Sequence, residues 1–256
     1  MKTVPHLVEV ATLKPAVAFL VYTDGKRAAV TQHAIQLTGE KGLEIISGVP
    51  ADTHALIEVA RLLAGGEERS LLPEHVLATD PGLLMWWRPS QRRSILFRTE
   101  NKATDALHGK PVLHPALLFM AAGRQLYVFA LGDDARPTAD TKLYRAPYFN
   151  LFIGGLLCEG NFAMPEHCRI SGIEQWEEGF FDTNFAHTHL ASDEVTSHPN
   201  GHLGLWRELA VEKGPKAHKA FPTQYLVPLT ESLVAKEDQP KGHVSPPLTV
   251  GRLLQQ

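Results

Sequence analysis

Cysteine is scarce in this sequence, since Cys158 and Cys168 are the only two among 256 residues. Small secreted domains that depend on disulfides usually carry more, and the first residues lack the apolar stretch of a secretory signal. Both thiols are therefore predicted to be free. We expect the protein in a reducing cytoplasm.

Excess charge and long hydrophobic runs are also absent. The formal net charge is -3 and the sequence pI is about 6.5, which gives no general attraction to nucleic acid or to an anionic membrane. No segment approaches the roughly 20 apolar residues that a membrane-spanning helix needs. We therefore expect neither direct nucleic-acid binding nor a membrane span. The 44% hydrophobic content is typical of a globular protein with a sizeable core.

Several catalytic signatures are missing. The sequence has no Gly-x-x-x-x-Gly-Lys-Ser/Thr loop and no Gly-x-Ser-x-Gly elbow, so nucleotide hydrolysis and α/β-hydrolase chemistry have no support. Thirteen histidines are present, and His187 and His189, with His198 and His202 nearby, are candidates for a zinc site. Their spacing matches no zinc signature, so neither a metal nor another cofactor is predicted. A zinc hydrolase would need His187 and His189 to converge with a carboxylate. We expect His187 instead to form a hydrogen bond at a helix end near the cysteine flap.

The first fifth of the chain predicts a β-hairpin. Apolar runs at 16–22 and 27–33 flank Asp24-Gly25, a dipeptide typical of tight hairpin turns. A helix is predicted over 52–63, because capping residues precede Leu56, Val59 and Leu63 on one helical face.

Two further hairpins are predicted in the middle of the chain. The strand-like segments 83–88 and 93–98 are joined by a short Pro-Ser-Gln turn, and 116–121 and 125–131 flank Gly123-Arg124. Short turns favour an antiparallel meander of four strands, since parallel neighbours need long crossovers. A helix is predicted over 173–181 and another over 203–211, and the last fifteen or so residues are predicted to form a loose tail.

The stretch from Ala146 to Asn161 carries one nucleophile, Cys158, between glycines. Thioester exchange needs a thiolate, access for a carbonyl and donors for the oxyanion. Cys158, the backbone amides after it, and the side chain of Asn150 or Asn161 are candidates for these parts. Two simpler interpretations stay open, because free cysteine is often a buried apolar residue and asparagine often caps a turn.

These motifs together resemble the PRTRC system protein B family, a bacterial branch (family D) of the ubiquitin-conjugating-enzyme-like superfamily. The resemblance is densest over residues 80–190 and rests on these segments: Trp86-Trp87-Arg88-Pro89, Leu126–Leu131, Arg136-Pro137, Ala146-Pro147 with Asn150, Gly155-Leu-Leu-Cys158-Glu-Gly160, Trp176-Glu-x-x-Phe180-Phe181, and Phe185-Ala-His187. It implies an α+β fold with an N-terminal helix, a four-stranded antiparallel meander, a cysteine-bearing flap and C-terminal helices. We expect a ubiquitin-conjugating-enzyme-like core over 51–190, an additional N-terminal β-hairpin in 1–50, and a C-terminal helical extension with a flexible tail over 191–256.

The resemblance also implies a function. Such proteins belong to a cassette on plasmids and mobile elements, with a ubiquitin-like small protein and a ThiF-like activating protein as expected partners. The family asparagine stands about eight positions before the catalytic cysteine, as Asn150 does before Cys158, but Tyr148-Phe149 replace the usual His-Pro pair. The implied activity is thioester transfer through Cys158. The alternative is a non-catalytic module that binds the same partners.

Overall fold

The structure is a computed structural model of the chain. It describes residues 17–38, 42–63, 71–80, 82–99, 102–158, 164–186, 190–211, 214, 217–231 and 246–255. The chain divides into two compact units, residues 1–70 and 71–256. Among the described residues, no helix is long and apolar enough to cross a membrane.

The first unit contains a three-stranded antiparallel sheet, ordered β1-β2-β3, followed by one helix. The elements are β1 (Val17–Thr23), β2 (Ala28–Thr38), β3 (Gly42–Pro50) and α1 (Thr53–Leu63). The predicted hairpin is confirmed, because Asp24 accepts hydrogen bonds from the N–H groups of Lys26 and Arg27 and Gly25 has a φ of +85°. The predicted helix is confirmed as α1. Strand β3 was not predicted from the sequence, because Gly42, Gly48 and an extra residue between Ile45 and Gly48 interrupt its alternation.

The second unit is built on a five-stranded antiparallel sheet in the order β10-β9-β8-β5-β4. A two-stranded ribbon of β6 and β7 lies between β5 and β8 in sequence. The strands are β4 (Val76–Asp80), β5 (Leu83–Arg88), β6 (Gln91–Ser94), β7 (Pro111–His114), β8 (Leu117–Ala122), β9 (Gln125–Leu131) and β10 (Leu143–Arg145).

One predicted strand pairing is wrong. The segment 93–98 does not pair with 83–88, because β5 lies between β4 and β8, with Trp86 opposite Phe119. Leu84, Met85 and Trp86 are consecutive and fully buried, as a central strand between two packed layers requires. The polar strand β6 pairs instead with β7. The 83–88 strand and the 116–121/125–131 hairpin are confirmed within a sheet of five strands rather than four.

The α-helices of the second unit that lie within the described residues are short. They are α2 (Lys102–Asp105), α3 (Ile173–Phe181), α4 (Ser192–Val195), α5 (Gly201–Leu209) and α6 (Val250–Leu253). The helix expected over 173–181 is confirmed, and the helix expected over 203–211 lies two residues earlier. Mixed helices and antiparallel sheets agree with the predicted α+β class.

The larger of the two hydrophobic core clusters contains residues of α3 and sheet residues. Trp86 stacks on Phe119 with ring centroids 5.2 Å apart, and Phe180 of α3 meets Phe119 edge to face. Motif residues also meet here, since the Glu177 carboxylate accepts from Trp86 Nε1 at 2.8 Å and from Arg88 Nε at 2.6 Å. The two motifs are therefore far apart in sequence but adjacent in the fold.

The expected loose tail is instead packed over residues 246–255. The Leu143 N–H donates to Leu248 O, and the Leu248 N–H donates to Leu229 O. Leu248 is fully buried, and Val250 belongs with it to a second core cluster that includes Met85 and Leu118. These sheet residues are apolar and central, so a covering segment stabilises them by removing their surface from water.

Candidate functional site

The candidate site is a hairpin-like flap over residues 150–158. Its two arms are joined by a bridge between Leu151 and Leu157, and the Phe152 N–H donates to Leu156 O at 2.9 Å. The Cys158 N–H donates to Asn150 O at 2.8 Å. The flap therefore brings the backbones of Asn150 and Cys158 together.

Strand β9 fixes the second arm of this flap. The Leu157 N–H donates to Leu126 O at 2.8 Å, and the Val128 N–H donates to Gly155 O at 2.9 Å. Gly155 has a φ of +83°, and a Cβ at this position would lie 2.7 Å from the Phe129 ring. Only glycine combines this backbone conformation with such close packing.

Cys158 lies at the end of the flap. It is a free, half-buried cysteine, whereas Cys168 is buried. Residues 159–163 lie outside the described residues, so the predicted contribution of Asn161 is not described. The same holds for His187 and His189.

The side chain of Asn150 connects the flap to the loop after α3. Its Oδ1 accepts from the Ala186 N–H at 3.0 Å, and its Nδ2 donates to Asn184 O at 3.0 Å. These two bonds define the orientation of the amide. Because an amide nitrogen has two N–H groups, one is still available for a further acceptor. The asparagine thus supports the flap and retains a donor.

Tyr148 occupies the position where the family motif has histidine. The Tyr148 hydroxyl donates to His114 Nδ1 at 2.7 Å, and His114 Nε2 donates to Arg93 O at 3.1 Å. Burial raises the pKa of Tyr148 well above its usual value and lowers the pKa of His114 to about 4. Both side chains are therefore neutral at physiological pH. Sequence reasoning missed this pair because its members are 34 residues apart and nothing in the sequence around Tyr148 points to His114 as its partner.

Cys168 occupies a structural position. Its Sγ lies 3.3 Å from Gly123 O, 3.4 Å from Gly82 O and 3.5 Å from Ala121 O. Burial raises the pKa of this thiol, which lowers the fraction of nucleophilic thiolate. Of the two sulfurs, that of Cys158 is the better candidate.

The histidines considered for zinc bind protein groups where they are described. His198 Nε2 lies 3.0 Å from Glu208 Oε2, and His202 Nε2 lies 2.7 Å from Pro147 O. Within the described residues, no group of three or more His, Cys, Asp or Glu side chains could hold a metal ion.

A family model for prokaryotic E2 family D matches residues 53–229, from the start of α1 through the flap to Leu229. The chain belongs to prokaryotic E2 family D. The match contains Asn150, Cys158 and the whole five-stranded sheet. Comparisons with curated proteins and with solved structures give no match.

The second unit is compatible with an α+β E2-like fold. Its antiparallel sheet, flap and α3 follow one another along the chain. An E2-like family also implies an interaction with a ubiquitin-like protein.

Proposed function

We propose that this E2-family protein carries a ubiquitin-like protein as a thioester on Cys158. The observation that supports the proposal most is the closing hydrogen bond of the flap, which joins the half-buried Cys158 to Asn150. A cysteine that served only as core filling would not need a glycine-rich hairpin anchored on β9. The other sulfur, Cys168, is surrounded by backbone carbonyls and is the poorer nucleophile.

The transfer step is a thiol exchange. The Cys158 thiolate attacks the carbonyl carbon of the thioester that joins the ubiquitin-like protein to a cysteine of the activating protein. A new C–S bond forms to Cys158 Sγ, the old C–S bond breaks, and the departing thiolate takes up a proton. No stored base is required, because an ordinary cysteine already carries a few per cent thiolate near neutral pH.

Oxyanion stabilisation would come from donors near the sulfur. The second N–H of Asn150 is one candidate, and the Asn161 side chain and the amides after Cys158 are others. Replacing Asn150 by Ala is expected to slow the transfer about 100-fold if its N–H reaches the oxyanion, as other donors of this kind do. The same change removes both bonds to the loop after α3, so the stability of the variant must be measured beside its rate.

The expected partners follow from the family. We propose a ubiquitin-like small protein as cargo and a ThiF-like activating protein as its source, within a PRTRC-type cassette of plasmids or mobile elements. We also propose a cytoplasmic setting, where both free thiols would stay reduced.

Reconstitution with the ubiquitin-like protein, the activating protein and ATP tests the proposal. We expect an adduct that reducing agent removes, that Cys158→Ala abolishes, and that Cys158→Lys converts to a reductant-resistant amide. Cys168→Ala is the matched control and should keep the adduct. An adduct that survives Cys158→Ala would contradict the assignment.

A non-catalytic binding module is the second candidate. It is favoured by Tyr148-Phe149 at the place of His-Pro and by the engagement of the Asn150 amide with Asn184 and Ala186. Under this alternative, both partners bind the wild-type protein with no covalent adduct. The same reconstitution therefore distinguishes the two functions.

A further inference from the structure

The segment that enters the flap is buried and is held from both sides. Ala146, Tyr148 and Phe149 are each less than a tenth exposed. His114 of β7 binds Tyr148, and His202 of α5 binds the residue before it, Pro147. The flap begins immediately after these residues, at Asn150.

His202 makes a directed contact with this segment. Its Nε2 lies 2.7 Å from Pro147 O, and its ring lies against Phe149 with centroids 4.4 Å apart. A carbonyl only accepts hydrogen bonds, so Nε2 must carry a proton. Proline has no N–H and cannot anchor the segment as a donor, which leaves the Pro147 carbonyl as its backbone attachment point.

The surroundings keep His202 in its neutral form. The residue is 4% exposed, and Nδ1 is buried with no partner among the described residues. A cationic imidazole would place a second N–H on that unpartnered nitrogen, and burial accordingly lowers the pKa of His202 to about 4. The His202 N–H donates to Ser192 Oγ at 2.7 Å, which attaches the start of α5 to α4.

We propose that His202 is a positioning residue that holds the entry of the Asn150–Cys158 flap through its bond to Pro147 O. The effect of this residue on catalysis rests on the proposed thioester function. The bond reaches the flap through three residues, Pro147, Tyr148 and Phe149, that have little room to move. Loss of the bond frees the entry segment and thereby the relative placement of Asn150 and Cys158.

Three variants separate the effect of losing the hydrogen bond from the effect of losing the volume of the ring. His202→Leu keeps apolar volume and loses the donor. His202→Asn keeps a polar amide, but its side chain is too short to place a donor where Nε2 lies. His202→Gln is the rescue variant, because its amide nitrogen can take the place of Nε2 and donate to Pro147 O.

Hydrogen exchange of the flap amides gives a readout that does not depend on activity. The N–H groups of Phe152, Gly155, Leu157 and Cys158 are all hydrogen-bonded in the flap or to β9. We expect about tenfold faster exchange of these amides in His202→Leu and His202→Asn, in line with the loss of one buried hydrogen bond. The amides of α3 should be unchanged, and His202→Gln should restore wild-type exchange.

The rate of thioester formation by the His202 variants gives a second measurement. With the charged activating protein at a saturating concentration, thioester formation should be about tenfold slower in His202→Leu and normal in His202→Gln. The half-saturating concentration of the charged activating protein should be unchanged in both. Unchanged flap exchange in the donor-lacking variants, or equal loss of protection in the flap and α3, overturns the inference. If His202→Leu does not fold, His202→Asn decides by the same criteria. A wild-type protein that forms no thioester would refute the proposed function alone, because the exchange data still test the positioning role.

Discussion

Gly155 provides a sharp test of how the flap is held, because an adjacent glycine serves as its control. At Gly155 an added Cβ would lie 2.7 Å from Phe129 Cε1 and 3.0 Å from Val128 O, and φ is +83°. At Gly154, no atom of the described residues other than Gly154 itself and its two chain neighbours lies within 4 Å of the added carbon. The two substitutions are chemically identical, but the two sites differ in backbone conformation and in what the new methyl group meets.

The expected loss can be worked out from these contacts. Left-handed backbone costs a residue with a Cβ about 1–2 kcal/mol, and overpacking of a filled site costs about 1–3 kcal/mol. Gly155→Ala is therefore expected to destabilise the protein by about 3 kcal/mol in total. Gly154→Ala should change the free energy of unfolding by less than about 1 kcal/mol, because it meets open space.

Urea unfolding of both variants measures these differences. The midpoint of Gly155→Ala should fall at an unchanged m value, and exchange of the Leu157 and Cys158 amides should accelerate. The midpoint of Gly154→Ala should stay close to that of the wild type. Equal midpoints for the two variants would refute the described packing of the flap on Phe129.

Two further predictions concern buried polar groups. Glu177→Ala leaves the Trp86 indole N–H without its acceptor and should cost about 3 kcal/mol in urea unfolding, whereas the exposed neighbour Glu178→Ala should cost less than about 0.5 kcal/mol. Similar losses of unfolding free energy in both variants would argue against the hydrogen bonds of Glu177 to Trp86 and Arg88. Because the pKa values of His114 and His202 are lowered to about 4, the unfolded chain binds more protons between about pH 4 and 6.5, and stability should decrease as pH falls through that window. Each histidine should contribute about 2 kcal/mol of this loss between pH 7.5 and pH 5, so His202→Gln should show a shallower decrease, and an unchanged slope would contradict its burial as a neutral ring.

Local sequence patterns predicted the positions of strands and turns better than they predicted which strands pair. The Asp24-Gly25 turn and the hairpin of β8 and β9 follow from residues that are adjacent in sequence. The position of β5 depends on β8, which begins 29 residues after β5 ends, and no local pattern specifies that pairing. The short Pro89 turn favoured the nearer and wrong neighbour.

The packed C-terminal segment also shows that local sequence does not predict long-range packing. Pro246-Pro247 and low local periodicity suggested a loose tail, but Leu248 and Val250 cover one of the two core clusters. Their burial depends on the apolar surface of distant strands. Two apolar residues that alternate with Thr249 after Pro246-Pro247 carry too little sequence signal to indicate such packing.

The candidate site was partly predictable. The resemblance implied a cysteine-bearing flap with Asn150 eight residues before Cys158, and a hydrogen bond joins the backbones of these two residues in the structure. The supports of the flap were not predictable, because His114 and His202 act through contacts with backbone carbonyls and with Tyr148. A backbone carbonyl exists at every residue, so a histidine that binds one has no recognisable partner in the sequence.

Mass spectrometry of the reconstituted mixture tests the central claim most directly. After peptic digestion at low pH, which preserves thioesters, we predict that the peptide containing Cys158 carries the C-terminal residues of the ubiquitin-like protein with the loss of one water. Treatment with a thiol should release that modification completely. An unmodified Cys158 peptide from a mixture in which the activating protein is charged, or a modification on another residue, would contradict the account.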